Sequence, residues 1–510
     1  MNDWQTYLAD LSRIWPEITL SATVLVALVC DLLLGGRDTR FTGYVTLFGA
    51  ALSVYFVAQD LAAHGGGAGQ SVFGLMWVDG FALYFKLLLG LGLVCVVLLS
   101  IFFRGFQRDG VGEYYSVLSA AALGGFFLVS TTNLLMMFLA LQLLSISSYV
   151  LAGFMKRERR SSEAAMKYLV YGALSAGAML YGFSLLYGHC GSLELSELGK
   201  AFARNIGPEG ETLGLPALSV VVAMVLVIAG FGYKIAAAPF HFWSPDVYEG
   251  APTPVTTFLA VVSKAASFGM VVRFFSAFDQ DLGTVHLSQI LAALAAVSMT
   301  FGNLGAMLQD NMKRLLAYSS IAHSGYLLMG VAAMVTPAGA KGATFGGLMM
   351  SGGQAVSFYL AAYLLMNLGA FAVVVYISNR YGIESVDRYA GLGWKAPVAG
   401  AMMVIFCASL TGLPPTFGFI GKWALFNAVL EKGLYWLAVV AGINTVISLF
   451  YYFRIVKALF FRGEEEAFPS PRAGVPVLGL MTLLVVLGAL NLYYGIWFPQ
   501  VAELISRLTI

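Results

Sequence analysis

Apolar stretches of about twenty residues follow one another along almost the whole chain, and no other feature limits the possible folds as strongly. They cover residues 14–34, 41–61, 79–101, 112–130, 132–154, 162–188, 216–238, 253–277, 286–306, 312–335, 353–378, 396–414, 434–461 and 475–495. About 20 consecutive apolar residues let a helix cross the hydrocarbon core of a bilayer. Only 11% of the residues are charged, whereas soluble domains carry about 25%. The sequence therefore predicts an all-α polytopic membrane protein with about 14 transmembrane helices.

Basic residues are distributed unevenly between the two alternating sets of loops. Of the 29 lysines and arginines, 17 lie in or beside the loops that follow odd-numbered spans, and seven lie in the tails and the remaining loops. The densest cluster is KRERR, residues 156–160. Because cytoplasmic loops are enriched in lysine and arginine, we expect the odd-numbered loops in the cytoplasm and both termini on the opposite side.

The other five basic residues are lysines inside the apolar runs. They are Lys86, Lys167, Lys234, Lys264 and Lys422. An ammonium ion at the centre of a membrane helix costs at least about 2.5–3.5 kcal/mol, so each of them needs an explanation. The simplest explanation is snorkelling, in which the stem lies in lipid and the amine reaches the interface. For Lys86, snorkelling or a structural ion pair is sufficient. Glu163 precedes Lys167 by one helical turn, a spacing that favours an ion pair.

Lys264 is harder to explain in this way. It lies twelve residues into its span, in PVTTFLAVVSKAASFGMVV, near mid-depth. Desolvation disfavours an ammonium ion, so a lysine held inside a protein can release and regain a proton. A proton relay requires a group with this property.

Two of the apolar regions contain helix breakers. Residues 216–249 are too long for one straight span and are interrupted at Pro239, and residues 396–431 are interrupted at Pro414 and Pro415. Broken helices in a membrane are tolerated only where protein or water satisfies the freed backbone groups. Two such helices at separated positions are typical of an ion site in a transporter built from inverted repeats.

The five-span separation of these breaks, in spans 7 and 12, predicts two inverted five-helix repeats. We expect an N-terminal segment of three helices (1–111), a first repeat of spans 4–8 (112–277), a second repeat of spans 9–13 (278–462), and a C-terminal helix with its tail (463–510). Sequence similarity between the two repeats is confined to little more than a Pro-x-Phe near each break.

Two histidines complete the set of candidate polar residues. His241 follows the first break, and His323 lies in the middle of span 10, in LAYSSIAHSGYLLMG, with hydroxyl groups around it. A single buried histidine is often only a packing residue. Beside several interior lysines it can instead bridge them near neutral pH.

Signatures of bound cofactors are missing from the sequence. It contains no phosphate-binding glycine motif after a strand and no pair of metal-binding carboxylates, and its four cysteines are scattered without a CxxC pair. A net charge of +2 gives no basic surface for nucleic acid. We expect no cofactor and no metal in this chain.

Several segments resemble a known family. They are PEITLSATVLVALVCD (16–31), SISSYVLAGF (145–154), EAAMKYLVYGALSAG (163–177), residues 231–255 through PDVYEGAPTPV, NMKRLLAYSSIAHSGYLLMG (311–330) and SLTGLPPTFGFIGKW (409–423). Over nearly the whole chain the sequence is similar to the subunit N family of bacterial NADH–quinone oxidoreductase, respiratory complex I, one of the antiporter-like subunits.

The resemblance implies a proton channel without redox chemistry, in a bacterial inner membrane, with both termini in the periplasm. The implied relay residues are Lys234, Lys264, Lys422, Lys167, Glu163 and His323, to which we add His241. The implied partners are a neighbouring antiporter-like subunit and a small multi-helix subunit, with electron transfer carried out elsewhere in the complex.

One position departs from the family pattern. Where the family usually has a glutamate in span 5, this chain has Gln142, in LALQLLS. A glutamine cannot stabilise protonated Lys234 as a carboxylate would. Glu163 could take over as the acid, coupling could be weaker, or this half could load protons differently. We favour the first, because Glu163 is the nearest intramembrane acid in the sequence.

Three other functions are compatible with such a chain. The same fold occurs in cation/proton antiporters and membrane-bound hydrogenases. A passive scaffold in the membrane arm would move no protons, and only Gln142 favours it. A free-standing solute transporter fits poorly, because the interior lysines are not accompanied by a dedicated substrate pocket.

Overall fold

The computed structural model describes residues 10–34, 39–64, 69–106, 111–205, 215–278, 285–336, 350–461 and 477–508. These residues are almost entirely helical. The α-helices are α1 (Trp15–Leu34), α2 (Thr39–His64), α3 (Gly80–Phe102), α4 (Val111–Ser130), α5 (Leu134–Ala152), α6 (Arg159–Cys190), α7 (Leu195–Asn205), α8 (Leu215–Lys234), α9 (Trp243–Gly250), α10 (Thr253–Phe258), α11 (Lys264–Ser276), α12 (Val285–Met307), α13 (Met312–Val335), α14 (Gly352–Tyr381), α15 (Leu392–Lys395), α16 (Pro397–Thr411), α17 (Phe417–Glu431), α18 (Tyr435–Phe461), α19 (Val477–Ile496) and α20 (Pro499–Leu508).

A hairpin, two short 3₁₀ turns and one π-helical turn complete the described fold. Strands β1 (Gln70–Val72) and β2 (Met76–Val78) form an antiparallel hairpin in which Ser71 faces Trp77. Short 3₁₀ turns cover Arg104–Phe106 and Asp387–Tyr389. The boundary expected between residues 462 and 463 and the outermost residues of both termini lie outside the described ranges.

Twelve helices of the described chain are long and apolar enough to cross a membrane, if α10 and α11 are counted as one. The two remaining predicted spans, 216–238 and 396–414, coincide with the shorter apolar helices α8 and α16. Each of these is followed by a gap and a second helix. The gap between α8 and α9 contains Pro239, and the gap between α16 and α17 contains Pro414 and Pro415.

The middle of the fold consists of α10, α11, α13 and α14. Every residue from 251 to 275 is buried, and most of α13 and α14 is buried as well. In contrast, α1, α2, α6 and α18 expose long apolar side chains such as Leu33, Phe48, Leu174 and Phe450. Apolar side chains are as stable against lipid tails as against protein, so an exposed apolar rim suits a protein that lies in a bilayer.

A single π-helical turn, Leu259–Ser263, joins α10 to α11. It ends directly before Lys264. Because π turns insert an extra residue into a helix, they rotate the side chains that follow, and they are frequent at functional sites. Here the turn determines how the predicted mid-depth lysine is oriented.

Two ion pairs fix α3 in place. Lys86 lies 2.6 Å from Glu17 of α1, and neither side chain is more than 2% exposed. The two charges are close but not aligned for a hydrogen bond, and no described side chain or backbone group hydrogen-bonds either of them. Lys86 is therefore held by an ion pair, not by snorkelling.

The second pair lies at the start of α3. Asp79 accepts hydrogen bonds from both terminal nitrogens of Arg273, at 2.7 and 2.8 Å, and it also caps α3 by accepting from the Ala82 amide. A bidentate arginine–carboxylate pair is geometrically specific, so it sets the position of α11 along α3.

Candidate functional site

The first broken helix ends at Lys234, the last residue of α8. Its side chain is buried and donates a 2.9 Å hydrogen bond to the Ser145 hydroxyl of α5. The ammonium nitrogen lies 5.8 Å from the centre of the Tyr168 ring, within reach of a cation–π contact. Among the described residues no carboxylate forms an ion pair with it. Gln142 is half-buried and lies one turn before Ser145. The described hydrogen-bond partner of Lys234 is therefore the Ser145 hydroxyl.

The backbone of the first break is well supplied with hydrogen bonds. The Ala237 amide donates to the carbonyl of Gly232 at 2.8 Å, and the Ala238 amide donates to the Ser298 hydroxyl at 2.9 Å. The Trp243 indole donates to the Tyr233 carbonyl at 2.9 Å. These bonds satisfy groups that a continuous helix would have paired, as irregular backbone within a membrane requires.

Lys264 lies at the centre of the molecule and is 3% exposed. It donates to the Ser320 carbonyl at 2.7 Å, to the Ser320 hydroxyl at 2.5 Å and to the Ser324 hydroxyl at 2.8 Å. All three ammonium hydrogens therefore have oxygen acceptors on α13. The Ser324 hydroxyl in turn donates to the Ile235 carbonyl at 2.6 Å, which connects Lys264 to the residue after Lys234.

His323 lies on α13 between the two serines that bind Lys264. Its Nδ1 is 2.5 Å from the Tyr359 hydroxyl and its Nε2 is 3.2 Å from the Tyr452 hydroxyl. The Tyr452 hydroxyl also hydrogen-bonds Ser319. Each ring nitrogen thus has a hydroxyl partner that can either donate or accept.

Tyr363 lies between Lys264 and His323. Its hydroxyl donates to the Ser320 hydroxyl at 2.9 Å, and its ring centre is 5.3 Å from that of His323. Since Ser320 also binds Lys264, one hydroxyl is shared by the lysine and the tyrosine. This brings Lys264 and His323, predicted as members of one polar set, into one cluster.

The second broken helix carries Lys422. It lies on α17 and is buried, and its amine donates to the Thr411 carbonyl, the last residue of α16, at 2.9 Å. The amine also lies 4.5 Å from the centre of the Tyr326 ring. Tyr326 is one helical turn after His323, so Lys422 is reached from the histidine through one aromatic side chain.

Two cavities lie in the described part of the fold. One, of about 370 Å³, has a mainly apolar lining and opens beside Lys422, between Phe419 and Trp423. The other, of about 350 Å³, has a mainly polar lining that includes Glu249, Glu384 and Lys313 at the start of α13, and it does not reach the interior lysines. Water in the polar cavity can bridge polar groups that do not touch directly.

Lys167 and Glu163 occupy a different place, at the partly exposed edge of the fold. Their side chains form the predicted i,i+4 pair at 2.8 Å. Lys167 also contacts Asp246 of α9 at 2.6 Å. Glu163 is 56% exposed, and its ion-pair partner is Lys167, not Lys234. The suggestion that it replaces the missing acid at Gln142 stays a prediction.

His241 lies in the first break and stacks on Phe242, with ring centres 4.6 Å apart. Its Nδ1 is buried and has no hydrogen-bond partner among the described residues. The described contacts do not join His241 to the cluster around Lys264.

The sequence did not single out the hydroxyl groups around the interior lysines and His323 or the carboxylate that joins the outer pair to the second half. These are Ser145, Ser320, Ser324, Tyr359, Tyr363, Tyr452 and Asp246. Hydroxyls around His323 were visible in the sequence, but their partners were not. Within the described ranges, no group of three histidine, cysteine, aspartate or glutamate residues is arranged to hold a metal ion.

Comparison with known proteins gives consistent matches over the length of the chain. The family described as NADH:quinone oxidoreductase/Mrp antiporter, TM, matches residues 131–448. NADH-quinone oxidoreductase subunit N of Chlorobium chlorochromatii is 41% identical over 509 residues, which cover 98% of this chain and 94% of that protein.

Solved structures agree with these matches. A chain of respiratory complex I from Thermus thermophilus is 34% identical, with a TM-score of 0.75, over 96% of this chain and all of that one. A chain of the archaeal membrane-bound sulfane sulfur reductase has a TM-score of 0.81 at 20% identity, over 98% of this chain and 96% of that one. At that identity the second match shows a shared fold only.

Proposed function

Because the chain belongs to the subunit N family of NADH-quinone oxidoreductases, we propose that it is a proton-translocating subunit of the membrane arm of complex I. It carries no redox centre of its own. Protons pass through its interior lysine, histidine and hydroxyl groups, and the passage is coupled to electron transfer from NADH to quinone in other subunits.

The observation that carries this function is the environment of Lys264. Its amine is buried at the centre of the fold among two serine hydroxyls and a carbonyl, and no described carboxylate pairs with it. A carboxylate would hold the ammonium ion permanently. Hydroxyl and carbonyl groups stabilise the ion less, and a hydroxyl can also donate a hydrogen bond to the neutral amine. The site can therefore exist with and without its proton.

Lys234 and Lys422 extend this site toward the two broken helices. Lys234 and Lys422 are bound by a hydroxyl and a carbonyl in the same manner. The described hydrogen bonds from Lys264 end at Ile235 on one side and at Tyr363 on the other. His323 has its own hydroxyl partners, Tyr359 and Tyr452. In our proposal water completes the three remaining steps, from Lys234 to Lys264, from Tyr363 to His323 and from His323 to Lys422. Lys167 and Glu163 belong to the loading side.

The proposal also includes the arrangement of the chain in the membrane. We assign fourteen spans, with two inverted repeats of five helices at residues 112–277 and 278–462, an N-terminal unit at 1–111 and a C-terminal helix and tail at 463–510. The basic odd-numbered loops support cytoplasmic placement of those loops, and hence periplasmic termini in a bacterial inner membrane. The lateral partners are a neighbouring antiporter-like subunit and a small multi-helix subunit.

Lys422→Gln tests the function in membranes that contain the whole assembled complex. We expect proton pumping, measured as the pH change per NADH oxidised, to fall about fivefold or more, which corresponds to about 1 kcal/mol. The amide can hydrogen-bond Thr411 but cannot carry a proton through the site. Lys432→Gln is the matched control, because Lys432 also donates to a backbone carbonyl, that of Thr336, but is only partly buried.

Full pumping by Lys422→Gln at wild-type electron transfer would exclude the relay and leave a passive scaffold as the function. Equal losses in Lys422→Gln and Lys432→Gln would also count against it, since they would show that the assay reports a general effect of removing charge.

A further inference from the structure

We propose that Asp246 is a positioning residue of the relay, and that it joins Lys167 in the first half of the chain to Arg314 in the second half. This inference presupposes the proton-translocating function proposed above. Asp246 has no part in the proton path proposed above.

Asp246 lies in the first turn of α9 and uses both carboxylate oxygens for cations on different helices. Its Oδ2 is 2.6 Å from Lys167 Nζ on α6, and its Oδ1 is 2.6 Å from Arg314 Nη1 on α13. No other acid among the described residues makes ion pairs to two helices in this way.

Two further acids flank the bridge and complete a row of five charges. Glu163 contacts Lys167 at 2.8 Å, and Glu249 contacts Arg314 at 3.1 Å. The row contains three carboxylates and two cations, and Asp246 is its central member. If the Asp246 charge is removed, each cation keeps one carboxylate, so the row divides into two separate ion pairs without leaving an unpaired charge.

Stability alone does not explain the bridge. All five side chains are at least 24% exposed, and ion pairs in contact with solvent contribute about 0–1 kcal/mol each. Ion pairs of this strength add little to the stability of a fold of this size. The geometry of the bridge, however, determines which helices respond when Lys167 moves.

Both ends of the bridge lie on helices that also carry side chains next to the interior lysines. Tyr168, the residue after Lys167, stacks on Trp243 of α9 with ring centres 4.3 Å apart, and the same Tyr168 ring faces Lys234. At the other end, Ser320 and Ser324 lie two to three turns along α13 from Arg314. A shift of Lys167 is therefore transmitted to the helix that binds Lys264.

The replacement of an acid by Gln142 makes this connection more important here. Lys234 is bound by Ser145 and has no described carboxylate partner. The acids available to the first half at this edge are those of the charge row. Among them only Asp246 pairs with a cation in each half, whereas Glu249, also on α9, pairs with Arg314 alone.

Asp246→Asn tests the bridge in membranes with the assembled complex. It keeps the shape and removes the charge. We expect the number of protons pumped per NADH oxidised to fall about threefold or more, while the content of assembled complex stays at the wild-type level, and Asp246→Glu to recover at least half of the loss. The matched control is Asp310→Asn, which removes another acid that pairs with an arginine, Arg454, at 2.7 Å.

Wild-type stoichiometry in Asp246→Asn would overturn the inference, as would an equal loss in Asp310→Asn. A loss in Asp246→Asn that Asp246→Glu does not restore, together with reduced assembly, would show a purely structural role and also overturn it. Measuring Lys422→Gln in parallel separates a failure of the proposed function from a failure of the inference on Asp246. If Lys422→Gln fails to pump and Asp246→Asn pumps normally, the relay is supported and only the role of Asp246 is wrong.

Discussion

Lys264→Ala is expected to abolish proton pumping and to slow quinone reduction about tenfold or more, equivalent to about 1.4 kcal/mol of activation free energy. Lys264 is the only described lysine whose amine donates to oxygens on α13, the helix that also carries His323. Without the amine, Ser320 and Ser324 remain, and neither can hold an additional proton near neutral pH. Because the proposed function couples electron transfer to pumping, both rates should fall while the complex still assembles. Proton uptake and quinone reduction are measured on the same membranes.

Two variants separate chemistry from packing at this site. Lys264→Met keeps most of the side-chain volume and should fail as completely as Lys264→Ala. Lys457→Ala removes an exposed lysine of α18 and should leave both rates unchanged. If Lys264→Met pumps normally, the alanine variant fails because of a cavity. If both Lys264 variants pump and transfer electrons normally, the lysine is structural.

The positions of the spans could be predicted because each is encoded locally. A run of about twenty apolar residues is sufficient to identify a membrane helix, and the predicted span 112–130 coincides with α4, Val111–Ser130. Prolines located the interruptions for an equally local reason. The exact ends were less accurate: α6 extends from Arg159 to Cys190 instead of from 162 to 188.

Elements without a long apolar run were missed. The hairpin of β1 and β2 has strands of only three residues, and α7 and α20 are short and amphipathic. The π turn before Lys264 leaves no mark in hydropathy, because all five of its residues are compatible with an ordinary helix. Such features depend on packing between helices more than on the local sequence.

In the candidate site, too, contacts within one helix could be predicted and contacts between helices could not. The i,i+4 pair of Glu163 and Lys167 was predictable because one helix contains both residues. Asp246, the second partner of Lys167, comes from another helix 79 residues away, and hydropathy carries no information on which helices are neighbours. Tyr359 and Tyr363 could not be distinguished among the 25 tyrosines of the chain, since a lipid-facing tyrosine and one that hydrogen-bonds inside the fold look alike in sequence.

Lys86 illustrates how a structural role and a relay role separate once partners are known. In the sequence it is one of five lysines in apolar runs. In the fold it is paired with the carboxylate of Glu17, and both side chains are almost fully buried. Lys234, Lys264 and Lys422 instead have hydroxyl or carbonyl partners. A carboxylate partner favours a permanently charged pair, which suits an anchor between α1 and α3.

Glu17→Gln should therefore destabilise the subunit strongly, by about 3–5 kcal/mol, because it leaves the Lys86 ammonium buried without a counter-charge. We expect much less assembled complex in the membrane and faster thermal inactivation of what remains. The double variant Glu17→Leu with Lys86→Met should recover most of the loss, since replacing both members of a buried pair by apolar residues is often neutral. Glu503→Gln, which breaks the exposed pair with Arg507, is the control and should have no effect.

If Glu17→Gln assembles and resists heat like the wild type, water or lipid reaches Lys86, and the pair is not the anchor of α1. If the double variant assembles but fails to pump, Lys86 takes part in proton transfer after all.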